Sequence, residues 1–213
     1  RITGQLGDAS LDRILLTSRR FPVSGGAAHV SQAFGDAPVH IHSAGQAALE
    51  TGDFFTTWAN RYDSDMPRTS THGLSEGDVF PLGEGEVVVV HLPGHTNDGL
   101  GFHLPHLSTL VVGALLPRAD RPTRWDLPGG SLLDVVKSIK RIRRMKLSSL
   151  VPLQGPAIRG TDHVKDVLDR HLRFHEEAVQ NDGRPPTSWE RPASTAVWLT
   201  PRTPWPLEEQ ESV

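Results

Sequence analysis

The chain has 213 residues, enough for one sizeable core. Its 22 Lys and Arg nearly balance 25 Asp and Glu, so no global field favours nucleic acid or a membrane surface, and such a partner would need a local patch. Cysteine is absent, which excludes disulfides, thiolate metal sites and a cysteine nucleophile. No apolar run approaches the roughly 20 residues of a spanning helix, and Arg1 to Gly4 open no signal-like segment. A cytoplasmic protein without a membrane partner is expected.

Gly7 to Arg13 are polar turn formers ahead of Ile14 to Leu16, a short buried strand that runs into Thr17-Ser18-Arg19-Arg20-Phe21-Pro22-Val23-Ser24-Gly25-Gly26. Gly25 to Phe34 fits a short helix stopped by Gly35-Asp36-Ala37-Pro38. Val39 to His42 alternates as a half-buried strand, Ala44 to Glu50 fits a helical turn, and residues 51 to 68 carry no periodic pattern. Asp78 to Leu82 and Glu86 to His91 flank Gly83-Glu84-Gly85 as a hairpin, and the four valines of the second strand predict cover on both faces. Leu92-Pro93-Gly94-His95-Thr96 follows, then strands at Leu100 to Leu104 and Leu110 to Gly113 around Pro105-His106. From Ser131 to Lys146 the apolar residues recur at three and four, as in a helix. Leu150 to Pro156 reads as a strand and turn, and a second helix spans Thr161 to Gln180 before Asn181-Asp182-Gly183. Alternating strands and helices predict an α/β layered domain over residues 1–181.

Residues 182–213 form a separate Pro-rich stretch, expected to be either a disordered tail or an arm laid across another surface, with Trp189, Trp198 and Trp205 favouring the arm. The outer face of the Ser131 to Lys146 helix carries Lys137, Lys140, Arg141, Arg143, Arg144 and Lys146, a nucleic-acid patch or a solvated face. No aromatics interleave for base stacking, which disfavours nucleic acid. His40, His42, His72, His91, His103 and His106 show no metal-ligand spacing.

Five segments in order resemble the metallo-β-lactamase superfamily, in its glyoxalase-II-like and endoribonuclease-like branch. Thr17 to Gly26 resembles the Thr-His-x-His-x-Asp-His motif followed by Gly-Gly. Leu92 to Thr96 is similar to the Pro-Gly-His-Thr turn, Leu110 to Leu116 to the strand ending in Gly-Asp, Val151 to Pro156 to the Pro-Gly-His-Gly-Pro turn, and His171 to Glu176 to the His-Arg-x-x-Arg-Glu helix. The resemblance implies an αββα four-layer sandwich, abbreviated at the N-terminus because only about a dozen residues precede the first motif. It also implies that Ser18, Arg20, Pro22, Val23, Ala114 and Gln154 stand where six metal ligands would be, leaving His95. One histidine cannot replace the three or four donors a zinc site needs, and a fixed arginine cation repels metal. No metal and no cofactor are expected. The leading reading is a catalytically inactive pseudoenzyme that binds or assembles with another protein chain, as a homo- or hetero-oligomer. A metal-independent enzyme is the alternative. It would hold an anionic small molecule on Arg19, Arg20, His95 and Gln154, with His95 or Ser18 as the catalytic candidates; against that pocket, one arginine could instead pair with Asp98 or Asp120. An RNA-binding relative of the family's ribonucleases is a second alternative.

Overall fold

Four consecutive valines, Val87 to Val90, put apolar side chains on both faces of one strand, and both faces are covered. Val87 and Val89 join the cluster between two sheets, while Val90 joins the cluster under the helices. The computed structural model describes residues 10–186. One sheet is parallel, in the order β1 (Ile14–Leu15), β2 (Val39–His42) and β3 (Thr71–Leu74). The other runs in chain order through β4 (Val79–Leu82), β5 (Gly85–His91), β6 (Leu100–Leu104), β7 (Thr109–Gly113), β8 (Ser149–Pro152) and β9 (Ile158–Arg159). Only its β7 and β8 pair in parallel, joined by a crossover that contains the long loop 114–130 and a helix.

Three apolar clusters define the layers. Leu16, Val39 and Ile41 meet Ala27, Ala48 and Leu49 from the helices α2 (Ala27–Ala33) and α3 (Ser43–Thr51). Leu74, Val87, Val89, Leu100 and Phe102 fill the space between the sheets. Val90, Leu92, Leu110 and Val112 pack under α4 (Leu132–Arg143) and α5 (Thr161–Gln180), which supply Val135, Ile139, Ile142, Val164, Val167, Leu168 and Leu172. The result is the helix–sheet–sheet–helix order expected from the sequence.

Several elements differ from expectation for identifiable reasons. The helix expected from Gly25 begins earlier, as α1 (Phe21–Ser24), because Pro22 suits a first helical turn; the Gly25-Gly26 pair then separates it from α2. The helix expected over Ala44 to Glu50 gains a residue at each end, capped by His42 Nδ1 accepting from Ala44 N–H at 3.1 Å and closed by Gly52 at φ 68°. β3 was missed because His72 and Gly73 interrupt its apolar pattern; pairing with β2 makes it a strand. α4 stops at Arg143, three residues before Lys146, and its N-cap Ser131 accepts from Asp134 N–H. β1 is paired on one side only among the described residues. Trp189, Trp198 and Trp205 lie outside the described residues. No helix among those described is long and apolar enough to cross a membrane.

The start of α4 abuts the turn that carries His95. Gly94 sits at φ 141°, where a Cβ would stand 2.6 Å from the Val135 backbone nitrogen, and Ser131 N–H donates to the Gly94 carbonyl at 2.9 Å. Helix α4 is thus part of the site's foundation. Ile139, 1% exposed in the cluster under the helices, should cost about 2–5 kcal/mol as Ile139→Ala, read as a lower urea midpoint with unchanged slope.

Candidate functional site

After β1 the chain turns through Thr17 to Arg20 beneath the edge of the second sheet. Leu100 N–H donates to the Thr17 carbonyl at 2.8 Å, tying the two sheets together at this point. Gly113, at φ 55°, leaves room for Thr17, whose Cβ would lie 2.5 Å from a Cβ added there. The fully buried Ser18 hydroxyl accepts from Arg20 N–H at 3.2 Å and lies 3.3 Å from Thr96 Oγ1. Its partners are therefore Thr96 and Arg20, not His95.

Arg19 and Arg20 are both buried, and their donors turn inward. Asp98, with no exposed surface, accepts from Arg19 twice at 2.7 Å, once from the backbone N–H and once from Nη1. Nη1 also donates to Asn97 Oδ1 at 2.7 Å. Two glycines make this pair possible. A Cβ at Gly45 would meet Asp98 Oδ2 at 2.7 Å, and one at Gly129 would meet Arg19 Nη2 at 2.5 Å. Arg20, 2% exposed, donates from Nη1 to the Thr56 carbonyl at 2.8 Å and from Nη2 to the Pro128 carbonyl at 2.7 Å. Burial, then the neighbouring Arg19 charge, lowers its pKa to about 10, so it stays a cation at neutral pH. Asp53 shapes the loop that presents Thr56: it accepts the N–H groups of Phe55 and Thr56 and the Thr56 hydroxyl.

His95 points its Nδ1 at the Arg124 carbonyl, 3.1 Å away, with Thr123 Oγ1 at 3.3 Å. Because Thr123 Oγ1 gives its own proton to the Ala114 carbonyl at 2.7 Å, Nδ1 carries the hydrogen and Nε2 the lone pair in the neutral ring. Burial, then Arg20, pushes the His95 pKa down to about 4, so it is a neutral ring at physiological pH and not an acid.

Loop 114–130 is held from the other side by α5. His171 Nε2 meets the Ala119 carbonyl at 3.1 Å, and His175 Nε2 meets the Thr123 carbonyl at 3.2 Å. The sequence placed these histidines on a helix; their hold on this loop was not legible, because it depends on contacts across 52 residues of chain. Asp53, Asn97 and Thr123 were likewise missed. The Arg19 partner is the Asp98 that the sequence offered as the alternative to an anion pocket, and Asp120 pairs with Arg118 at 3.0 Å. Gln154 is partly buried, its backbone N–H bonded to the Pro117 carbonyl at 2.9 Å. The α4 cations are largely neutralised: Lys137 pairs with Asp134, Lys140 with Glu176, Arg141 with Glu76 and Arg143 with Asp169. Four of the six cations expected as a nucleic-acid patch or a solvated face therefore have carboxylate partners.

The donors around His95 do not fit a metal ion. Ser18 is spent on Thr96 and Arg20, Arg20 is a cation, and Pro22, Val23 and Ala114 offer no side-chain donor. Among the described residues no group of three or more His, Asp or Glu could hold a metal.

A family model described as the metallo-beta-lactamase superfamily matches residues 24–155. An uncharacterised protein of Aquifex aeolicus (strain VF5) is 42% identical over 69 residues, 32% of each chain. The acyl-coenzyme A thioesterase MBLAC2 of Gallus gallus is 28% identical over 151 residues, 63% of this chain and 52% of that one. The chain thus spans about half, or less, of the length of these curated relatives. Among solved structures, the BLEG-1 B3 metallo-beta-lactamase superposes with a TM-score of 0.68 at 23% identity, covering 78% of this chain and 79% of that one. TTHA1623, solved in a di-iron-bound form, gives 0.62 at 27% identity, covering 74% and 77%.

Two outcomes test this geometry. Asp98→Ala strands the Arg19 charge in the interior and should cost about 3–5 kcal/mol, whereas the double change Arg19→Met with Asp98→Leu should recover much of that loss in a denaturation cycle. His171, held down to about 3 by burial and then by His175, takes up its proton in the unfolded chain near pH 6.5 but not in the folded one. Its contribution is intact above about pH 6.5 and lost as pH falls toward 3, at roughly 1 kcal/mol per pH unit. The buried His175, also shifted down by burial, acts in the same direction. Denaturation midpoints should fall between pH 7 and 5, less steeply in His171→Gln.

Proposed function

Because the chain belongs to the metallo-β-lactamase superfamily, we propose that it is a member in which metal-dependent hydrolysis has given way to a binding or assembly role beside another protein chain in the cytoplasm. The observation that carries this reading is Arg20. A permanent cation lies buried in the first motif, close enough to His95 to depress its pKa, with both Nη groups on backbone carbonyls. A site that shelters a guanidinium supplies carbonyl oxygens and excludes competing cations. The donors left at the positions where the family's ligands would stand, Ser18, His95 and Gln154, do not make up a zinc shell, and without a bound metal no water is activated as the nucleophile of such hydrolases.

A second reading rests on the similarity to MBLAC2, which is named as an acyl-coenzyme A thioesterase. Here the chain binds an anionic thioester or a related small molecule without metal, and the Nε2 lone pair of His95 accepts a proton. The inward pairing of Arg19 and Arg20 supports the first reading over this one.

Purified full chain, incubated with zinc, manganese or iron and desalted, should retain well under one equivalent by elemental analysis and should not hydrolyse a panel of acyl-coenzyme A thioesters. About two equivalents of metal, lost in His95→Ala, would overturn the proposal. Metal-free turnover abolished by the same substitution would select the second reading.

A further inference from the structure

The α4–α5 surface holds a second polar feature, independent of the loop site. The ion pairs Lys140–Glu176 and Arg143–Asp169 step forward along α4 and backward along α5, so the two helices run antiparallel. The C-terminal end of α4 therefore lies beside the first turns of α5. There a cleft of about 410 Å³ is lined by Lys140, Arg143, Arg144 and Lys165. Neither Arg144 nor Lys165 has an ion-pair partner among the described residues.

We infer that this cleft binds a small ligand carrying two or more phosphate groups. Four cations line one space; Lys140 and Arg143 are already paired with carboxylates, whereas Arg144 and Lys165 have no ion pair among the described residues. Arg144 and Lys165 do nothing for helix pairing, since Lys140 and Arg143 already make the interhelical bridges. An anion seated in the cleft would meet both of these cations. Arginine forks match phosphate oxygens two at a time, and lysine adds a mobile point charge. A single carboxylate would merely duplicate Glu176 and Asp169. The volume accommodates more than one phosphate, and the two cations without an ion pair suit at least a dianion.

Nucleic acid suits the surface less well. Lys137 and Arg141, the other α4 cations with partners, are held by Asp134 and Glu76, so the positive charge does not extend as a track. The cleft has no aromatic lining on which a base could stack. This inference stands whether or not the loop site binds metal.

Inorganic pyrophosphate is the probe, titrated calorimetrically into the full chain at low salt. Saturable single-site binding that outcompetes inorganic phosphate and weakens with added salt is expected. The double variant Arg144→Gln with Lys165→Gln, at exposed positions that leave the core intact, should weaken it by about fivefold or more, as loss of two exposed charge contacts predicts. Lys137→Gln should leave it unchanged. Absence of saturable binding, or binding undiminished in the double variant, would overturn the assignment. A polyuridine oligonucleotide without terminal phosphate that binds more tightly than pyrophosphate and loses affinity in the same variant would overturn it in favour of RNA.

Discussion

Two adjacent arginines cannot be buried side by side unless oxygen atoms surround them. Two guanidinium charges about 5 Å apart repel by roughly 3 kcal/mol even at an effective dielectric near 20, before any loss of hydration is counted. Here both Arg19 and Arg20 direct a terminal nitrogen at the same Pro128 carbonyl, at 3.4 and 2.7 Å. The arrangement persists because Asp98 cancels one charge outright and two carbonyls solvate the other. Much of the surrounding architecture follows from that requirement. Gly45 and Gly129 lack side chains where Asp98 and Arg19 would collide with them, and the Asp53 turn aims the Thr56 carbonyl.

The arginines cross-link three segments that are distant in sequence: the turn after β1, the loop around Thr56, and the loop at Pro128. A metal pair performs a similar mechanical task by drawing ligands from several loops to one point. A guanidinium also radiates several bonds from a fixed plane, but it bonds oxygen acceptors where a metal would want imidazole and carboxylate. At this turn the sequence supplies guanidinium donors, and two neighbouring loops supply the carbonyl acceptors that match them. Loop 114–130 is secured separately, through imidazoles that meet its carbonyls at Ala119, Thr123 and Arg124. Neutral histidines suit that role because burial leaves a charged ring without its hydration, which holds all three below the usual imidazole range.

The layered fold was legible because it rests on local patterns: the valine run of β5, the apolar stripes of α4 and α5, and glycines at turns. β3 was not, since Thr-His-Gly-Leu becomes a strand only through a neighbour supplied 32 residues earlier. The residue types of the first motif could be read from the sequence alone. What the arginines do there could not. A charged pair in a sequence carries no direction, and whether it faces solvent, a ligand or the interior depends on Asp98, Thr56 and Pro128 arriving from elsewhere.

The same limit applies to α4, with the opposite result. The six cations of this helix and the turn after it look alike in the sequence, yet the structure divides them by neighbour. Lys137 is paired within its own helix, Arg141 with Glu76 ahead of β4, and Lys140 and Arg143 with α5. Exposed pairs of this kind add little stability, of order 0–1 kcal/mol each, so their main effect is to decide where charge remains unbalanced. That place is the end of the helix at Arg144, opposite Lys165. A uniformly basic stripe would favour any polyanion through counterion release, whereas a stripe neutralised along most of its length and left positive at one cleft favours a ligand of limited size and concentrated charge.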